Sequence, residues 1–128
     1  MLVVEDDARF ARVLKAVLQG AFPSAILDVC ETETEAIVRA RMSAYDLLIV
    51  DLHLEAGGEG AEVVRHVRDR SKRPLVKVLI ISGMVDEQHV RRIAERAGAN
   101  DYLMKPFEMG AIVAKARELL AMPTEDVP

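Results

Sequence analysis

Four apolar runs in this chain end in residues that can handle a metal ion or a phosphoryl group. Glu5-Asp6-Asp7 follow Leu2 to Val4, Asp51 follows Asp46 to Val50, Ser82-Gly83 follow Val76 to Ile81, and Lys105-Pro106 follow Asp101 to Met104. Taken singly, an acid or a serine just past a strand is ordinary turn or helix-cap chemistry. Converging on one crevice, they are much harder to explain as caps. Carboxylates of Glu5, Asp6 and Asp51 within about 5 Å of one another would repel by roughly 3 kcal/mol per pair at an effective dielectric of 20, so a positive charge has to sit among them. Oxygen donors suit octahedral Mg²⁺, whereas zinc asks for His or Cys ligands, and Cys30 and the three histidines show no such grouping. An acid at a strand tip, a hard metal, a lysine and a small hydroxyl together suit phosphoryl transfer. Asp51 is the best nucleophile, because it follows the most apolar central run and is held rigidly there. Mg²⁺ and Lys105 would neutralise the phosphoryl oxygens, and the Ser82 hydroxyl with nearby amides would donate hydrogen bonds to them. Asp6 is expected as a direct metal ligand and Glu5 as one acting through water.

A sheet has to bring these ends together. Apolar β-branched runs alternate with stretches of helical period, the pattern of a parallel sheet covered on both faces by helices. Leu2 to Val4 reads as a short buried strand, followed by a helix from about Ala8 to Gln19 with Phe10, Val13, Leu14, Val17 and Leu18 on one face and Gly20 as its stop. Ala25 to Val29 is the second strand. Thr32 and Glu35 have capping-box spacing, and the helix they open buries Ala36, Ile37 and Ala40 and ends near Met42. Asp46 to Val50 is the third strand, leading through Gly57, Gly58 and Gly60 into a helix carrying Val63, Val64 and Val67. Val76 to Ile81 is the fourth. A helix from about Glu87 to Ala97 buries Val90, Ile93, Ala94 and Ala97 and stops at Gly98; Asp101 to Met104 is the fifth strand. The last helix starts near Phe107 and buries Ile112, Val113, Ala116, Leu119 and Leu120. Right-handed crossovers give such an α/β chain the doubly wound order 2-1-3-4-5, whose switch point lies between strands one and three. The polar residues fall at the C-terminal strand ends, where that topology puts a site.

With 128 residues, 51% of them hydrophobic, the chain supports one core and one domain. Its net charge of −4, with neither sign in a block, favours protein partners or a cation over nucleic acid or an anionic membrane. Cys30 stands alone, which excludes an internal disulfide and fits a reducing compartment; it reads as a small buried hydrophobe. The longest apolar run, Val78 to Ile81, is far too short to span a bilayer, and a strand beginning almost at Met1 leaves no room for an ordinary leader, so a cytoplasmic protein is expected. The domain is expected over residues 1–122, with the acidic, Pro-containing 123–128 as a tail or linker stump.

LVVEDD (Leu2 to Asp7), LLIVDLHL (Leu47 to Leu54), LIISG (Leu79 to Gly83) and DYLMKPF (Asp101 to Phe107) stand in the order and at the intervals of a known family. The chain resembles, over essentially its whole length, the receiver domain of bacterial two-component response regulators. The resemblance implies a flavodoxin-like (βα)5 fold and phosphorylation of Asp51 by a histidine kinase or phosphotransfer protein. It implies Mg²⁺ held by Glu5, Asp6, Asp51 and the His53 backbone carbonyl. It assigns Ser82 and Lys105 to the phosphoryl group and Tyr102 to an aromatic rotamer switch. The switch would work as a population shift, in which added charge pulls Ser82 and Lys105 inward and Tyr102 turns into the space vacated, altering the surface of helix four, strand five and helix five. Such a domain is a phosphoacceptor that assists its own transfer and dephosphorylation rather than an enzyme. A monomer, or a weak dimer once phosphorylated, is expected.

The chain departs from the family at Glu55, where a proline is usual, and the loop from Glu55 to Glu59 is one residue longer. His53 and Met84, each two positions after a site residue, reach over the phosphoryl group and would tune its hydrolysis. His66 and His89 are expected on solvated helix faces, and Met42, Met104, Met109 and Met122 as gap fillers or partner surface. A haloacid-dehalogenase-type phosphatase would want a second acid where His53 stands, and a cap domain for which there is no room. A flavin-binding module would want a hydroxyl-rich loop where Glu5-Asp6-Asp7 would repel a phosphate. Output would run through a partner protein or through an effector, such as a DNA-binding domain, joined to the tail.

Overall fold

Five short parallel strands carry the computed structural model, which describes residues 1–54, 58–70 and 76–123. Numbering only the strands of this sheet, Leu2–Val4 (β1), Asp28–Cys30 (β2), Leu47–Asp51 (β3), Lys77–Ser82 (β4) and Asp101–Met104 (β5) lie in the order β2-β1-β3-β4-β5. Every neighbouring pair is parallel. This is the doubly wound order expected from the alternation. Helices Ala8–Ala21 (α1), Glu33–Met42 (α2), Gly60–Arg70 (α3), Glu87–Ala97 (α4) and Met109–Ala121 (α5) flank the sheet, the first four making the crossovers between strands.

The two-residue period of the strands divides the core. Leu2, Val4, Leu48, Val50, Val78 and Ile80 point to a layer closed by Ala36, Val63, Val64, Val90, Ala94 and Ala97 of α2, α3 and α4. Val3, Leu47, Ile49, Leu79 and Ile81 point the other way, to Leu14 and Leu18 of α1 and Ile112, Ala116 and Leu119 of α5. Helices on both faces explain why these strands read as continuous apolar runs. Cys30 belongs to the first layer, 1% exposed, and is the small buried hydrophobe expected; burial pushes its thiol up to about 12.

Several boundaries shift for identifiable reasons. α1 runs through Gly20 to Ala21, because the N–H of Phe22 reaches the Leu18 carbonyl and closes the last turn without a left-handed residue. Val13, expected on the buried stripe of α1, is 46% exposed, and Ala11 is buried instead. β2 is Asp28–Cys30 rather than Ala25 to Val29, because only three residues of β1 are available to pair; Ile26 is left outside. β3 and β4 each include one residue more at the tip, Asp51 and Ser82, so both site residues are held in the ladder itself. α5 begins at Met109 instead of Phe107, with Glu108 at its cap position. Thr32 does cap α2, its Oγ1 accepting from the Glu35 amide at 3.1 Å, while Glu35 Oε1 accepts from the Glu31 amide rather than from that of Thr32. Gly98 ends α4 at φ +91°, the left-handed conformation expected of a helix-stopping glycine.

After β3 the chain forms a small antiparallel hairpin, His53–Leu54 against Gly58–Glu59, where the sequence pattern predicts only a Gly-rich loop. The Glu59 amide donates to Glu33 Oε1 at 3.0 Å, fastening the hairpin to the start of α2. Gly57 and the Glu55 departure lie outside the described residues. His66 is half-buried at the surface, where Arg41 donates to its Nε2 at 2.9 and 3.2 Å, joining α2 to α3. His89 is exposed as expected. No described helix is long and apolar enough to cross a membrane.

Candidate functional site

β1 and β3 end side by side with β5 one strand beyond, across β4, and the residues at these three tips deliver their charged groups to the same cleft. Glu5 is 1% exposed and Asp51 5%, burial that two carboxylates tolerate only with strong partners. Lys105 supplies them: its Nζ donates to Glu5 Oε1 at 2.9 Å and to Asp51 Oδ2 at 2.7 Å. The positive charge required among the acids is thus partly supplied by strand five itself. Backbone amides occupy the outer lone pairs, Asp7 N–H donating to Glu5 Oε2 at 3.1 Å and His53 N–H to Asp51 Oδ1 at 2.9 Å. The Lys105 amide donates to the Ser82 carbonyl at 2.7 Å, so the base of this lysine is as fixed as the acids.

Burial pushes the Glu5 carboxyl up to about 7, against the pull of the Lys105 ammonium and the Asp7 amide, and the Asp51 charge raises it further. For Lys105, burial disfavours the charge, but the hydrogen bonds to Asp51 and Glu5 together outweigh it and hold the ammonium above its ordinary value. A carboxyl raised from 4.5 to about 7 on folding contributes stability that is fully present below the lower value and lost as the pH rises through the higher one. In chelator-treated protein, the stability of the parent relative to Glu5→Gln is therefore expected to fall between about pH 4.5 and 7. Chemical unfolding at pH 4.5, 6 and 8 checks this; a difference independent of pH would contradict it.

Donor oxygens of Glu5, Asp6 and Asp51 all lie within 4.8 Å of one another, a set of hard oxygen donors that fits Mg²⁺ and lacks the nitrogen or sulfur ligands zinc prefers. His53, Gly83 and Met84 line the same cleft with Glu5, Asp6, Asp7, Asp51 and Lys105. The fold therefore brings Glu5, Asp6, Asp51, His53, Met84 and Lys105 together. Ser82 is at the neighbouring tip of β4, 1% exposed, with its Oγ accepting from the Met84 amide at 3.1 Å. Tyr102 stands apart, half-buried on β5, its hydroxyl donating to Glu87 Oε2 at 2.8 Å and accepting from Arg91 at 3.1 and 3.3 Å. Asp7, grouped with the acids by sequence, is the N-cap of α1: its Oδ1 accepts from the amides of Arg9 and Phe10 at 3.0 and 3.1 Å.

Two contributors are not apparent from the sequence alone. Phe10, expected as a core residue of α1, places its ring 4.6 Å from Lys105 Nζ and packs edge-on against Phe107 at 5.7 Å. Gly60 opens α3 directly against the tip of β3, where a Cβ would overlap the Asp51 carbonyl oxygen. A cluster of glycines after the strand is the available signal for the second, without saying which of them meets the strand tip; the first has none, since the stripe position explains a phenylalanine by itself.

Known proteins share both the sequence and the fold that build this cleft. Residues 1–117 match the family model of the response regulator receiver domain. The transcriptional regulatory protein ResD of Bacillus subtilis is 33% identical over 120 residues, covering 94% of this chain and 47% of that protein. The DNA-binding response regulator MtrA of Mycobacterium tuberculosis is 36% identical over 121 residues, covering 94% and 50%. The chain spans about half the length of these relatives. Among solved structures, a putative response regulator from Chloroflexus aurantiacus superposes with a TM-score of 0.84 at 30% identity, over 94% of this chain and 96% of that one. The receiver domain of the sensor histidine kinase PA1611 from Pseudomonas aeruginosa, which holds a magnesium ion in its active-site cleft, shares the fold with a TM-score of 0.82 at 23% identity, over 94% and 96%.

Proposed function

The chain belongs to the receiver-domain family of two-component response regulators, and from that premise we propose that it is switched by phosphorylation of Asp51. The observation that carries this reading is the Lys105 ammonium bridging Glu5 and Asp51 at three converging strand tips, with an Asp6 oxygen within 4.8 Å of theirs. Asp51 is buried and rigid, so one of its oxygens can be aimed at an incoming phosphorus without reorganisation. A P–O bond forms to Asp51 while the bond to the donor imidazole of a histidine kinase or phosphotransfer protein breaks.

Glu5, Asp6, Asp51 and the His53 carbonyl are the groups that would hold Mg²⁺, which when bound neutralises phosphoryl oxygens in the cleft. Lys105 keeps its charge throughout and moves from the carboxylates to a phosphoryl oxygen. Ser82, at the adjacent strand tip, turns its hydroxyl from the Met84 amide to the phosphoryl group. His53 and Met84, on the cleft wall, set how readily water reaches the acyl phosphate. The protein is a phosphoacceptor and not an enzyme acting on an outside substrate.

The readout passes to Tyr102. Its outward position is held by Glu87 and Arg91 of α4, so movement of Ser82 frees space while the α4 clasp resists the turn inward. The surface that changes is that of α4, β5 and α5. Since ResD and MtrA are about twice as long and are a transcriptional regulator and a DNA-binding regulator, residues 1–122 act as the receiver, and the chain from Pro123 leads toward an effector or meets a partner protein. The setting is the cytoplasm, and the domain is a monomer or a weak phosphorylation-dependent dimer.

The test is intact-mass analysis after incubation with acetyl phosphate. One phosphoryl group gained with Mg²⁺ and none with EDTA is the expected result. No gain under either condition would remove the reading.

A further inference from the structure

We propose that Phe10 is a positioning residue for phosphoryl transfer, its ring face seating the Lys105 ammonium; this rests on the roles of Asp51 and Lys105 given above. Lys105 Nζ has three N–H donors, of which two are directed to Glu5 Oε1 and Asp51 Oδ2. The Phe10 ring lies 4.6 Å from Nζ to its centroid, within the range where the negative face of an aromatic ring attracts a cation. The ring is fixed from two directions. The Asp7 cap accepts the Phe10 amide at 3.1 Å and sets the first turn of α1, and Phe107, two residues beyond the lysine, packs its ring at 64° to the Phe10 ring.

An ordinary apolar wall beside a buried ammonium would only remove water from it and favour its escape; the Lys105 side chain, 26% exposed, has a path to solvent. An aromatic face attracts the charge instead, and without adding an acceptor oxygen that would compete with a phosphoryl oxygen. The distinction matters during the reaction. Glu5 and Asp51 change their partners when a cation and a phosphoryl group arrive, so the two hydrogen bonds that now locate Nζ are both lost or rearranged. The ring is a neighbour of Nζ whose charge distribution stays the same before and after transfer. It therefore keeps the ammonium at the cleft while its hydrogen bonds are exchanged.

The experiment compares the parent with Phe10→Leu, which keeps an apolar side chain but no ring, and Phe10→Trp, which keeps a ring face. Phosphoryl gain from acetyl phosphate at saturating Mg²⁺ is expected to slow on the order of tenfold in Phe10→Leu and to return to within about twofold of the parent in Phe10→Trp. The NMR shift of the Lys105 ε-methylene protons is read alongside, because a ring beneath Nζ moves it upfield and a purely structural role for residue 10 would not. It is expected upfield in the parent and in Phe10→Trp, and at the ordinary lysine position in Phe10→Leu. Equal rates in all three proteins, or an unshifted ε-methylene in the parent, overturn the proposal. If the parent takes up no phosphoryl group, the functional reading fails and the proposal falls with it, while the ε-methylene shift still reports whether the ring seats the ammonium. Loss of folding in Phe10→Leu, detected by its melt, leaves the decision to Phe10→Trp and the parent shift.

Discussion

Gly60→Ala is expected to lower the melting temperature by roughly 5–12 °C, even though alanine is the better helix former. Gly60 opens α3 with its amide donating to the Leu52 carbonyl at 3.1 Å, which presses its Cα against the end of β3. A methyl group there overlaps the Asp51 carbonyl oxygen and comes within 2.9 Å of the Asp51 carbonyl carbon and 3.0 Å of Val50 Cγ2. These neighbours are backbone and a buried branched side chain, so relief requires moving α3 or the strand tip itself. Overpacking of that kind costs about 1–3 kcal/mol, and with backbone as the obstacle the upper half of that range applies, which outweighs the gain of about 1 kcal/mol from replacing a helical glycine. Gly20 supplies the opposite case within the same molecule. It lies inside α1, where a methyl group on its Cα would meet nothing within 4 Å, so Gly20→Ala is expected to raise the melting temperature by a few degrees. Thermal melts of the two variants beside the parent check both signs, and a stabilised Gly60→Ala would contradict the packing described for the tip of β3. The displacement also carries to the site, because the carbonyl that must move belongs to the proposed phosphoacceptor.

Lys105→Met is expected to slow phosphoryl uptake by about 100- to 1000-fold, the usual loss when a fixed donor to developing negative charge is removed. Its effect on stability has a sign and a pH dependence of its own. Breaking a buried ion pair by removing one partner usually costs about 3–5 kcal/mol, because the remaining charge is left unpaired. Here the remaining charge has an escape: Glu5 already titrates up to about 7 through burial, and losing Lys105, which lowers it, raises it further. At pH 6 the variant therefore carries a neutral Glu5 and loses only the partner of Asp51, whereas at pH 8 it must in addition either ionise Glu5 beside Asp51 or hold its proton against solvent. The destabilisation relative to the parent is expected to grow as the pH rises through 7. Urea unfolding at pH 6 and 8, with acetyl phosphate labelling of the same preparations, tests the two effects together. Equal destabilisation at both pH values would show that Lys105 packs against the site without governing its charge.

The features legible in the sequence are those that repeat. Alternating apolar runs and helical stripes imply five sheet strands and five helices, and right-handed crossovers with the common doubly wound order supply their arrangement. The acids, the serine and the lysine are legible because each stands at the end of such a run. Pairwise geometry is not. Asp7 and Asp6 are adjacent acids that both line the cleft, yet Asp7 uses its carboxylate to cap α1 while an Asp6 oxygen groups with those of Glu5 and Asp51. The hairpin after β3 is hidden because two-residue strands have no period, and its pairing of His53 with Glu59 leaves no mark on the sequence pattern. Arg68 is hidden in the same way. A basic residue late in α3 looks like surface, but its guanidinium donates to the carbonyls of Gly98 and Val76 and to Asn100 Oδ1 at 2.7–2.9 Å, tying α3 to the end of α4 and the start of β4. Lys77, a charged residue within the fourth apolar run, is 8% exposed, and its Nζ donates to the Pro123 carbonyl at 2.8 Å, where the chain leaves α5.

The central claim is that Asp51 is the residue that takes the phosphoryl group. It is tested most directly by peptide mapping after labelling with acetyl phosphate and Mg²⁺, with Asp51→Asn labelled in parallel. The account predicts one phosphoryl group, located on the peptide containing Asp51, and none on Asp51→Asn. A label on another residue of the parent, or full uptake by Asp51→Asn, would contradict it.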